Sequence, residues 1–160
     1  MNLLKVLIAF VVVLLLQTMV ISRIHYVQML DLFLLMNIYF ALNFNQMISM
    51  GISIPSGLIQ DAFLKGNVIG INAFSKTIIV FFISGLSSRV MLKHPVAIMF
   101  LVAISTVVDY YIILGLHMLF GLKPFNLTWQ MLLIAAILNG VIGAIAFQMV
   151  DRFRMRKEYA

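Results

Sequence analysis

Apolar residues run through this chain almost without interruption, and the polar gaps between the runs are only a few residues long. The 160 residues are 64% hydrophobic and 10% charged, whereas soluble domains carry about 25% charged residues. A water-soluble core of this size cannot hide so much apolar surface. Lipid is therefore the expected solvent, and in lipid every backbone polar group must be satisfied within the protein. The expected fold is all-α, a polytopic bundle of about six transmembrane helices in one integral membrane domain over residues 1–160.

The spans are read at about 3–21, 27–42, 46–64, 68–88, 95–120 and 127–150, with a basic tail at 151–160. At ~1.5 Å per residue, each stretch except the second is long enough for a ~30 Å hydrocarbon core. The second either tilts little or lies partly in the interface. The first is not expected to be a cleaved leader, because Met19-Val20-Ile21-Ser22 offers no small-x-small site.

Charge sets the orientation. With the N-terminus inside, the cytoplasmic side holds Lys5, Arg89, Lys93, Arg152, Arg154, Arg156 and Lys157. The outer side holds Arg23, Lys65 and Lys123. That excess favours both termini in the cytoplasm. The net charge of +6 would suggest nucleic acid in a soluble protein. Here the basic residues lie mostly at segment ends, so nucleic acid is not an expected partner. The tail residues Arg152, Arg154, Arg156 and Lys157 either retain the terminus inside or also bind anionic headgroups, at about 1 kcal/mol each.

Two polar motifs interrupt the apolar pattern. They are Gly57-Leu-Ile-Gln-Asp61 and Gly70-Ile-Asn-Ala-Phe-Ser-Lys-Thr77. An Asp or Lys at the centre of a membrane helix costs roughly 2.5 to 3.5 kcal/mol on insertion scales, so such residues are usually partnered. Asp61 follows Gly57 and Gln60 on the third span, while Asn72, Ser75 and Lys76 share one stripe of the fourth. The short turn between these spans makes them pack antiparallel. Asp61 and Asn72 then come at similar depths, with Lys76 about a turn deeper. A buried Asp61–Lys76 or Asp61–Asn72 contact is one reading. The other places Asp61, partly solvated, at the outer membrane end and lets Lys76 snorkel to headgroups. Pro55, four residues after Gly51, predicts a kink or a break near Ser53–Ser56 that shapes a groove beside the cluster. Small residues around Gly140 on the sixth span form a ridge for close helix packing, inside the bundle or against a partner. Asp31 is read as favouring a helix N-terminus, and Asp109 as joining the polar interior or lying higher.

No catalytic or metal site is expected. Cysteine is absent, Glu158 in the tail is the one glutamate, and Gly51-Ile-Ser53-Ile-Pro55 fails the Gly-x-Ser-x-Gly pattern at its last position. His25, His94 and His117 have no second ligand at helical spacing, so no cofactor is expected either.

The motif pair over Gly57–Thr77 resembles the MreD family, the rod shape-determining integral membrane proteins of bacteria. Family-typical positions are Gly57, Gln60, Asp61, Gly70, Asn72, Ser75 and Lys76. The resemblance implies a non-enzymatic scaffold of the cell-elongation machinery in the bacterial inner membrane. Its implied partners are the single span of MreC directly, and MreB, RodA and a class B penicillin-binding protein in the same complex. It also implies a fold similar to the substrate-binding component of energy-coupling-factor transporters. A vitamin-type transporter component is the rival reading. Its docking motif, Ala-x-x-x-Ala on the first helix, is missing, since Lys5 and Val13 flank Ala9.

Overall fold

The short second segment, which the sequence leaves between spanning and interfacial, is the centre of the bundle in the computed structural model. The structure describes residues 3–20, 29–63, 68–87, 94–123 and 128–158. These form α1 (Leu3–Leu15, continued by a π-helical turn at Leu16–Val20), α2 (Leu32–Asn43), α3 (Gln46–Phe63), α4 (Ile71–Ser87), α5 (Pro95–Leu119) and α6 (Trp129–Glu158). No strand occurs among the described residues. Helix α2 touches every other helix, and Phe33, Leu34, Ile38 and Ala41 on it are fully buried. Its 12 residues span only ~18 Å. Eight of its 12 residues are buried, and a helix enclosed largely by protein need not match the thickness of the bilayer.

The longest helices lie outside. Pro95–Leu119 and Trp129–Arg152 are each long and apolar enough to cross a membrane alone. Pro95 starts α5 at a position where its missing N–H costs nothing. A Schellman motif ends it: Leu122 N donates to His117 O at 2.8 Å and Gly121 N to Met118 O at 3.2 Å, with Gly121 at φ +65°. Helices α5 and α6 approach closely at Gly140, where a Cβ would come within 2.9 Å of the Met99 carbonyl. Gly143 faces Leu35 and Val102 in the same way. The small-residue ridge of α6 is thus an internal seam. Helix α6 runs through Asp151 to Glu158, so the basic tail continues the last helix instead of leaving it at residue 150. The side chains of Arg154, Arg156 and Lys157 lie outside the described residues, as do Arg23, Lys65, Arg89 and Lys93.

Helix α3 is polar inside and apolar outside. Ser49, Ser53, Ser56, Gln60 and Asp61 are buried, while Met47, Ile48, Ile54, Leu58 and Phe63 are exposed. That inverts the pattern of a soluble amphipathic helix and suits a lipid surround. The serine hydroxyls bond backbone carbonyls: Ser49 Oγ to Phe40 O at 2.9 Å, Ser56 Oγ to Ser53 O at 2.7 Å. Helix α3 is continuous through Pro55, so the break expected near Ser53–Ser56 is absent. Gly51 and Pro55 lie on its exposed face, and nothing stands within 4 Å of a Cβ at Gly51. The proline faces away from the buried polar side.

Candidate functional site: a buried polar cluster

Lys76 is 0% exposed in the middle of the bundle. Its Nζ lies 2.9 Å from Asp31 Oδ2 and 3.8 Å from Asp109 Oδ2, and donates to Asn72 Oδ1 at 3.4 Å. The hub of the site is therefore a lysine on α4 between an aspartate preceding α2 and one on α5. Of the two expected contacts, Asp61–Asn72 is present and Asp61–Lys76 is not. The two residues are linked through Asn72, whose Nδ2 donates to Asp61 Oδ1 at 2.6 Å. The reason is depth. Asp61 stands level with the start of α4, and Lys76 sits a turn further in, where its stem reaches α2 and α5.

Asp61 is 2% exposed, so the partly solvated reading does not hold. It caps α4 from the preceding helix, accepting from Gly70 N at 2.7 Å and Asn72 N at 3.2 Å. A carboxylate suits this place, because the first N–H groups of a helix lack partners and carry partial positive charge. Two glycines make the geometry possible. Gly70 has φ +110°, in the left-handed region that favours glycine. At Gly57 a Cβ would collide with the backbone of Ala73, so α3 and α4 are as close as two helices can be just one turn before Asp61.

Asp31 does two jobs. Its Oδ1 accepts from Leu34 N at 2.9 Å, capping α2, as its position suggested. Its Oδ2 takes Lys76 and also Gln60 Nε2 at 3.1 Å. Asp109 Oδ1 lies within hydrogen-bond distance of Ser75 Oγ, at 2.5 Å, which settles it inside the polar interior. Gln60, Asp61, Asn72, Ser75 and Lys76 are thus joined in one network, to which Asp31 and Asp109 must be added. Gly140 lies elsewhere, on the α5–α6 seam.

Sequence reasoning missed the amides that hold Asp31 in place. Residues 29–31, just before α2, are not α-helical, and unpaired backbone is costly in a membrane interior. Two side-chain amides satisfy it. Gln17 Nε2 donates to Leu30 O at 2.9 Å while its Oε1 accepts from Leu32 N at 3.0 Å. Asn139 Nδ2 donates to Met29 O at 3.1 Å while its Oδ1 accepts from Asp31 N at 3.0 Å. Each amide presents one donor and one acceptor, as a neighbouring peptide would. A lone buried Gln on α1 and a lone Asn on α6 were the available signals.

The chemistry of the cluster is cross-linking. Its charges tie α2, α3, α4 and α5 together. Among the described residues no group of His, Cys, Asp or Glu is placed to hold a metal ion. In comparisons with known proteins, the chain matches the family described as rod shape-determining protein MreD over residues 1–157. No curated protein and no solved structure matches it, so the expected likeness to energy-coupling-factor components rests on the sequence resemblance alone.

Proposed function

This chain belongs to the MreD family of rod shape-determining proteins, and from that premise we propose that it is a scaffold of the bacterial cell-elongation complex that binds the transmembrane segment of MreC. The family is a membrane protein family, structural in role and not known as enzymatic. What supports the scaffold reading most is the complete burial of Lys76 against Asp31. The membrane-embedded charges serve to fix helix positions, and the outward faces are left apolar. Such a face suits another single helix through close packing. MreB, RodA and a class B penicillin-binding protein belong to the same proposed assembly, through direct or indirect contact. No observation favours the transporter alternative.

The experiment is recovery of the solubilised full chain from its native membrane in mild detergent. Co-purification of MreC is the expected result. Recovery of ATPase and coupling subunits in its place would contradict the reading. The proposed setting is the inner membrane, multi-pass, with both termini cytoplasmic. Reporter fusions at Asn67 and Ala160 should then report opposite sides, and a shared side would contradict the six-span topology.

A further inference from the structure

The charge count of the buried cluster does not balance. Asp31, Asp61 and Asp109 face a single cation among the described residues, Lys76. Uncompensated buried charge costs several kcal/mol per ion. Two of the carboxylates are well served. Asp31 receives Lys76, Gln60 Nε2 and Leu34 N. Asp61 receives Gly70 N, Asn72 N and Asn72 Nδ2 at the N-terminus of α4. Asp109 differs. Its Oδ2 stands 3.8 Å from Lys76, and its Oδ1 meets a hydroxyl, Ser75 Oγ, which can accept a proton as readily as donate one. A second deficit lies in the same network. Gln60 Oε1 is buried without a hydrogen-bond donor, on a residue 8% exposed whose Nε2 is held by Asp31. Both observations describe one shortage: too few protons for the acceptors present.

We propose that this cluster is a proton-binding site, with the proton held on Asp109 Oδ1 against Ser75 Oγ. At Asp109 the arrangement closes with the atoms in place. The Asp109 O–H donates to Ser75 Oγ, and the serine hydrogen turns to the Asp109 carbonyl oxygen, 3.4 Å away. Asp31 is then neutralised by Lys76, Asp61 by the start of α4, and Asp109 by its own proton. Among the described residues, the charged groups facing this site are Asp31 from the segment leading into α2, Asp61 from α3 through Asn72, and Lys76 from α4. Helix α6 contributes the neutral Asn139, α1 leads into the neutral Gln17, and Tyr110 and Tyr111 follow Asp109 on α5. Proton occupancy is thereby tied to the contact between α4 and α5. The proton site involves no partner.

The test is infrared spectroscopy of the purified full chain in lipid nanodiscs at neutral pH, with aspartate labelled at its side-chain carboxyl carbon. A carboxylic acid C=O band is expected in the wild type. It should be absent from Asp109→Asn and shifted in Ser75→Ala, which removes its hydrogen-bond partner. Asp109→Asn exchanges one neutral group for another, so its Tm should stay within about 3 °C of wild type, whereas Asp31→Asn should lose roughly 10 °C. No labelled acid band in the wild type would overturn the proposal. So would a band that persists in Asp109→Asn, or an Asp109→Asn protein as unstable as Asp31→Asn. A Tm that rises with sodium at constant ionic strength, without an acid band, would place a metal cation there and equally overturn it.

Discussion

Replacing Lys76 with Met is expected to lower the Tm of the solubilised protein by roughly 10 °C. Removing one member of a buried ion pair leaves the other charge stranded, at a cost of about 3–5 kcal/mol. For a chain of this length each kcal/mol moves Tm by about 2–4 °C. The stranded group here is Asp31, which keeps its bonds to Leu34 N and Gln60 Nε2 but loses its cation. Adding Asp31→Asn to Lys76→Met should recover much of the loss, because no charge is then left unpaired. Thermal unfolding in detergent followed by far-ultraviolet circular dichroism measures all three variants. A Lys76→Met protein as stable as the wild type would mean that the lysine contributes nothing by its pairing.

The second large effect is expected at Gly57. Any side chain there meets the Ala73 backbone, and its Cβ would also stand only 2.7 Å from the Asn72 carbonyl carbon. Backbone cannot rotate away as a side chain can, so α3 and α4 must separate. Overpacking of this kind costs about 1–3 kcal/mol. Parting the helices also pulls Asp61 from Gly70 and Asn72, which adds the cost of a buried carboxylate with fewer donors. Gly57→Val should therefore sharply reduce both folded yield and Tm. Gly51→Ala is the control, because nothing lies within 4 Å of its Cβ. It should stay within about 0.5 kcal/mol of wild type. Equal effects at the two glycines would mean that the α3–α4 contact is not as close as described.

The helix pattern was legible because lipid leaves few choices: apolar runs bounded by Gly, Pro and charge must be helices. The α3–α4 half of the site was legible for a local reason. A short turn joins the two helices, so Asp61 and Asn72 had to come level. The partners of Lys76 were not legible, because Asp31 and Asp109 reach it across helices that spacing does not relate. A charge count still pointed to them. Besides Asp151 and Glu158 near the C-terminus, the acids are Asp31, Asp61 and Asp109, and a buried lysine had to draw on these. The central position of α2 was hidden as well. Its shortness left it between a little-tilted span and a partly interfacial segment, and neither reading indicated that it would touch every other helix. The non-α-helical backbone at residues 29–31 could not be foreseen without the Gln17 and Asn139 amides that make it tolerable.

The central claim is that Lys76 is held by Asp31 and reaches Asp61 only through Asn72. Two double-mutant cycles of thermal stability test it side by side, one pairing Lys76→Met with Asp31→Asn and the other with Asp61→Asn. The structure predicts a coupling energy for the Asp31 cycle at the upper part of the roughly 0.5–3 kcal/mol range seen for contacting residues, and one near the bottom of it for Asp61. Additive effects in the Asp31 cycle, or a larger coupling to Asp61, would contradict the account.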